Sequence, residues 1–196
     1  MPYLSAPFWR RLAARLIDFA VCLALTFLLA VPATPLVLIA EAVIGTEYED
    51  TLFDVAAWAC YFTAYIGLEV FMLLRRDGQT IGKGLLGVRV IPADPWARPR
   101  LDLRPATVRM LIIFLPFFFL SVSGSNPEST ALDIVAMTAF GTFLASCVLA
   151  LVPANSRRTI HDLVTGTRVI RAPKRKVELK KDLMMALPGR IDFAKH

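Results

Sequence analysis

Every lysine and arginine of this 196-residue chain falls within residues 10–15, 75–109 or 157–195, and the stretches between carry none. The three segments hold three, eight and eleven of the 22 cations. The cation-free stretches are largely apolar. Phe19–Ala40 runs for 22 residues without a formal charge, and Val55–Leu74 is broken only by Glu69. Met110–Val122 and Ile134–Ala154 follow. About 20 apolar residues in a helix cross a hydrocarbon core of about 30 Å. Three blocks meet that length, and the third meets it when its helix starts near Ala106 and takes in Arg109. Cationic segments stay on the cytoplasmic side. The sorting therefore predicts four spans in the cell membrane, with both termini cytoplasmic.

Composition agrees: 56% of residues are hydrophobic, against about 45–50% apolar for an average soluble domain. Asp18, early in the first apolar stretch, argues against a cleaved leader. Cys22, Cys60 and Cys147 all fall inside spans and read as packing residues. The net charge of +6 follows from topology and from a basic cytoplasmic tail at 173–196, so no nucleic-acid partner is expected. Near an anionic membrane surface each such cation contributes about 1 kcal/mol, which makes the bilayer and its anionic phospholipids the expected partners. Leu179, Leu183 and Leu187 give the tail an apolar stripe.

Pro32 and Pro35 are expected to kink or end the first helix, leaving open whether residues 35–44 continue it. The acidic stretch Gly45–Asp54 reads as an irregular outer loop, and residues 121–130 as a second outer turn before a helix capped by Ser129 or Thr130. The loop Arg75–Arg104 carries four glycines and three prolines, and Val88–Ile91 within it reads as a short strand. Residues Thr80–Ile91 align without gaps on Thr159–Ile170, with six of twelve positions identical. The simplest reading is a duplicated unit. The expected fold is an all-α membrane protein over residues 8–172. Its four transmembrane helices form two hairpins, each followed by a short cytoplasmic interfacial helix and β-strand. Thr80 or Thr159 would start each short helix, a glycine would end it, and the two strands would pair. The alignment makes Lys83 and Asp162 equivalent, and the two are expected to meet near a two-fold axis.

Three motifs resemble the RDD family of membrane proteins, named for one arginine and two aspartates. Arg11-Leu12-Ala13-Ala14-Arg15-Leu16-Ile17-Asp18 is similar to the family's R-x-x-A-x-x-I-D. Thr80-Ile81-Gly82-Lys83, followed by Gly87-Val88-Arg89-Val90, is similar to its T-x-G-K-x-x-x-G-x-R-V. Arg158-Thr159-Ile160-His161-Asp162 is similar to its R-x-x-H-D. Arg11, Asp18 and Asp162 would be the three named residues. The resemblance covers about residues 8–172 and implies a membrane protein of poorly defined activity. Cation–proton exchange is suggested for some members, and association with larger assemblies for others.

Ionisable groups within spans are costly and are usually paired or functional. Arg11, Arg15 and Asp18 share a helix face by their spacing. Glu69 lies at a similar depth on the second span, and Arg109 near the start of the third. With Lys83, Arg158, His161 and Asp162 they form the expected charge cluster. One reading is a structural network in which Asp18 and Glu69 are held by Arg15, Arg109 or Arg158. The other is a proton or cation site at Asp18 or Glu69. His161 reads as a hydrogen-bonded cap. No metal ligand set, cofactor motif or catalytic arrangement is present in the sequence, and an enzyme is not expected. The expected role is an accessory or scaffold protein binding membrane-protein partners, a second copy or lipids. The alternative is a small transporter.

Overall fold

The computed structural model describes residues 4–94, 100–152 and 157–176. The stripe at Leu179–Leu187 and the prolines 95, 99 and 153 lie outside them. The chain is mostly helical. Helices α1 (Phe8–Ile44), α5 (Leu103–Ser125) and α6 (Thr130–Leu151) are each long and apolar enough to cross a membrane. A fourth such helix, Thr46–Arg75, is assembled from a short 3-10 turn, α2 (Glu49–Phe62), a π-helical turn at Thr63–Gly67 and α3 (Leu68–Arg75). Two five-residue helices, α4 (Ile81–Leu85) and α7 (Ile160–Val164), precede strands β1 (Val88–Pro92) and β2 (Thr167–Arg171).

Helix α1 passes through Pro32 and Pro35 without stopping. Away from water a broken helix would orphan far more backbone groups than the two N–H groups the prolines lack. The helix ends instead at Gly45, whose φ of 116° suits glycine and whose N–H still reaches Glu41 O at 2.8 Å. At 37 residues α1 is about 55 Å long, well beyond one hydrocarbon thickness. The acidic stretch after it is helical, in contrast to the irregular loop expected. Glu49 and Asp50 occupy the first turn of α2, where the unpaired N–H groups favour negative charge. Helix α5 begins at Leu103, earlier than Ala106, because Pro105 falls in a first turn that needs no N–H from it. Ser129 caps α6 through Leu132 N–H at 3.4 Å.

Strands β1 and β2 pair antiparallel, Val88 opposite Arg171 and Pro92 opposite Thr167. The free edge of β2 is covered by the N-terminal segment: Ala6 N–H donates to Val169 O at 3.1 Å and Arg171 N–H to Leu4 O at 2.9 Å. Covering an edge in this way removes a site for unwanted pairing. The buried apolar cluster lies where this ribbon meets the helix ends, around Val88, Val90, Leu73, Ala106 and Met110. An aromatic cluster of Trp58, Tyr61, Tyr65, Phe114 and Phe118 continues it between the second and third long helices. Elsewhere the long helices present large apolar side chains outward, among them Phe27, Val31, Ile39 and Val148. Such a surface is suited to hydrocarbon rather than to water.

Candidate functional site: a buried charge network beside a cationic crevice

Asp18, Glu69 and Asp162 are all buried at the ribbon end of the helices. Each is paired with a cation that the local sequence puts in place. Asp18, on α1, accepts from Thr80 Oγ1 at 2.5 Å, from Gly82 N–H at 2.7 Å and from Lys83 Nζ at 3.3 Å. The first turn of α4 therefore sits on a span carboxylate that takes up one of its free N–H donors. Only glycine permits this approach at position 82. A Cβ there would fall 2.2 Å from Ala14 O, with Asp18 Oδ1 at 3.0 Å. Thr80 is the N-cap, receiving Lys83 N–H at 3.4 Å.

Glu69 receives Arg15 Nη1 on both carboxylate oxygens at 2.6 Å, and Lys83 Nζ lies 3.9 Å away. Lys83 thus bridges Asp18 and Glu69. Its pKa is pushed below the lysine value by burial, against the opposing pull of Glu69 and Asp18.

The second short helix makes the same use of charge with the signs exchanged. Asp162 closes a capping box with Thr159: Asp162 N–H donates to Thr159 Oγ1 at 3.4 Å, and Thr159 N–H donates to Asp162 Oδ2 at 3.2 Å. Arg109 on α5 donates to Asp162 Oδ1 and to Thr167 Oγ1, and Arg11 Nη1 stands 3.7 Å from Asp162 Oδ2. Burial would raise the Asp162 pKa. The neighbouring Arg109 and His161, with the Arg109 and Thr159 hydrogen bonds, outweigh it and hold the carboxyl well below its usual range. At α4 the long helix α1 carries the acid and the short helix the base. At α7 the long helix α5 carries the base and the short helix the acid.

Lys83 and Asp162 therefore do not pair with each other as their alignment led us to expect, because a nearer partner on a span claims each. Asp18 is held by Lys83 rather than by an arginine. Arg158 joins neither Asp18 nor Glu69; its Nε donates to Thr167 O at 3.2 Å. Arg11 ties α1 to the ribbon, donating to Ala6 O, Arg157 O and Val169 O at 2.5–3.0 Å. His161 is not the cap of α7, a place Thr159 holds. Burial, then the charge of Arg109, push its pKa well below the ordinary histidine value.

Sequence reasoning missed the close approach at Gly82, the hydroxyl of Thr167 and the π-helical turn. That turn buries Ala64, Tyr65 and Ile66 and sits directly before the short helix that carries Glu69. The pairing of Thr80 with Thr159 by identity was the signal for the caps. Nothing in the sequence marks the π turn beyond Gly67 at its end.

Beside the network lies a crevice of about 160 Å³ between α1, α5, α6 and the two short helices. Arg11, Arg15, Lys83 and Arg109 line its polar end, with Asp162 and His161. Phe8, Leu12, Ile112, Phe143, Cys147 and Ala150 form an apolar wall. Leu12 is 37% exposed, and Leu16 and Val148 beside this wall are exposed further. The apolar end therefore opens onto the hydrocarbon-suited surface.

Residues 5–166 match the family model described as RDD family. The chain is also 26% identical over 180 residues to the "Uncharacterized protein YckC" of Bacillus subtilis (strain 168), a match covering 92% of this chain and 93% of that protein.

Proposed function

From the premise that this chain belongs to the RDD family, we propose that it is a non-translocating accessory protein of the cell membrane, one that binds lipid or a membrane-protein partner beside its charge network. The observation that carries this reading is the state of the three buried acids. Asp18, Glu69 and Asp162 each already have a cation from within the fold, a second cation stands near Glu69, and Asp18 and Asp162 accept further hydrogen bonds. A carrier site needs a carboxylate free to exchange its proton or cation, whereas these carboxylates clamp short helices and spans together. Breaking such a buried pair typically costs about 3–5 kcal/mol, which would make the residues indispensable without any transport.

In this reading the chain is two copies of one unit, a helical hairpin followed by a short helix and a strand. The short helices lie at the cytoplasmic interface, and the paired strands join the copies beneath the spans. The resemblance of Thr80–Ile91 to Thr159–Ile170, and the positive φ of Gly87 and Gly166 at equivalent places (64° and 60°), support the duplication. The test is flux. Purified full-length protein in vesicles carrying a sodium, potassium or proton gradient is expected to leave that gradient unchanged. Cation-dependent proton movement that disappears in a folded Asp18→Asn variant would make the chain a transporter and overturn this reading.

A further inference from the structure

The network pairs four cations, Arg11, Arg15, Lys83 and Arg109, with three carboxylates, Asp18, Glu69 and Asp162. Only one of the three carboxylates, Asp162, lines the crevice, while all four cations do. Asp18 and Glu69 are engaged behind that surface. The polar end thus faces the crevice with a surplus of positive charge in a place largely shielded from water. Burial strengthens that charge. Arg109 and Lys83 are 3% and 5% exposed, so water screens them little, and an anion arriving in the crevice would be attracted more strongly than at an exposed site.

The shape of the crevice selects the form in which that anion arrives. One end is cationic. The other is walled by Phe8, Leu12, Phe143 and Cys147 and opens at Leu12 onto the surface that faces hydrocarbon. A free anion would reach the cations and leave the apolar wall empty. A molecule with an anionic head and an acyl tail satisfies both ends, and it enters sideways from the bilayer it already occupies.

We propose that this crevice is a binding site for the phosphodiester headgroup of an anionic phospholipid, with one acyl chain lying against the apolar wall between α1 and α6. The net headgroup charge of −1 matches the excess of one cation in the network. A zwitterionic headgroup brings an ammonium group that the four cations repel, so the site separates anionic from zwitterionic lipids by charge. The inference rests on the accessory reading above in one respect: the network must stay fixed as the floor of the site rather than open during a transport cycle.

The test uses the purified full-length chain and native mass spectrometry with phosphatidylglycerol and phosphatidylcholine of identical acyl chains. Phosphatidylglycerol should be retained about tenfold better, the scale of one charge-assisted hydrogen bond. Cys147→Trp fills the apolar wall and should abolish that preference while leaving the thermal midpoint unchanged. Leu12→Trp, at the exposed mouth, should do the same and serves if the first variant folds poorly. Leu28→Trp, on the exposed surface away from the crevice, should retain the preference. Equal retention of the two lipids would overturn the assignment, as would a preference that survives in folded Leu12→Trp. Displacement of phosphatidylglycerol by an equal concentration of glycerol 3-phosphate would show that the apolar wall contributes nothing, and would overturn the lipid as occupant. These failures are distinct from failure of the accessory reading, which is decided by gradient dissipation and not by lipid retention.

Discussion

Single residues settle how closely the short helices dock. At Gly82 a methyl group would meet the backbone carbonyl of Ala14 at 2.2 Å, and a backbone atom cannot swing aside. Gly82→Ala is therefore expected to lower stability by about 1–3 kcal/mol or more, seen as a fall in the thermal unfolding midpoint in mild detergent. Gly84, two residues on, has its nearest neighbour at an ordinary 3.5 Å, so Gly84→Ala should be neutral within about 1 kcal/mol. His161 sets a pH dependence. Its folded pKa is depressed, so below the unfolded value of about 6.5 the unfolded chain binds a proton that the folded chain refuses. Stability should then fall as pH drops below that value, by up to about 1.4 kcal/mol per pH unit, and His161→Asn should remove that part of the slope. Asp162 acts in the same sense but in a lower window. Its depressed pKa contributes stability that is lost as pH falls from the unfolded carboxylate value through the folded one, below the histidine range. Midpoints measured from pH 8 to pH 5 therefore report His161 and not Asp162.

At the scale of elements, the pairs that hold α4 and α7 respond to removal of one partner. Arg109→Gln leaves Asp162 buried without its principal cation, and a loss of about 3–5 kcal/mol is expected. Adding Asp162→Asn to that variant should recover part of the loss, giving a coupling of about 1–3 kcal/mol in a double-mutant cycle. Additive effects of the two changes would mean that they do not form one structural unit. The four long helices were legible in the sequence because charge sorting and apolar length are one-dimensional properties. The path of α1 through Pro32 and Pro35 was not, because proline preferences learned in water reverse where broken backbone has nothing else to bond. The π turn at Thr63–Gly67 was not legible either. It adds about one residue to a turn and so rotates Glu69 relative to Trp58 and Tyr61, a phase shift that only packing against α5 reveals. Which cation takes which acid was equally hidden: alignment put Lys83 and Asp162 at equivalent places, but equivalence in an alignment is not contact.

Over the whole molecule, the membrane reading makes a prediction about sides. In a variant lacking Cys22, Cys60 and Cys147, single cysteines at Ser5 and Ala172 lie close together on the ribbon and should react with an impermeant thiol reagent from the same side of intact vesicles. Cysteines at Glu47 and Asn126, at the far ends of the helices, should react from the other side. Labelling of Ser5 and Ala172 from opposite sides would remove the common compartment that the charge network needs.

The exchange of signs between the α1–α4 and α5–α7 pairs has a consequence for assembly. Were α7 to settle into the seat of α4, Asp162 would confront Asp18; were α4 to settle against α5, Lys83 would confront Arg109. Each wrong match sets like charges face to face away from water, where repulsion is least screened. Two short helices whose segments share six of twelve positions thus carry opposite keys, and a newly made chain has a reason to seat each against the long helix it pairs with here.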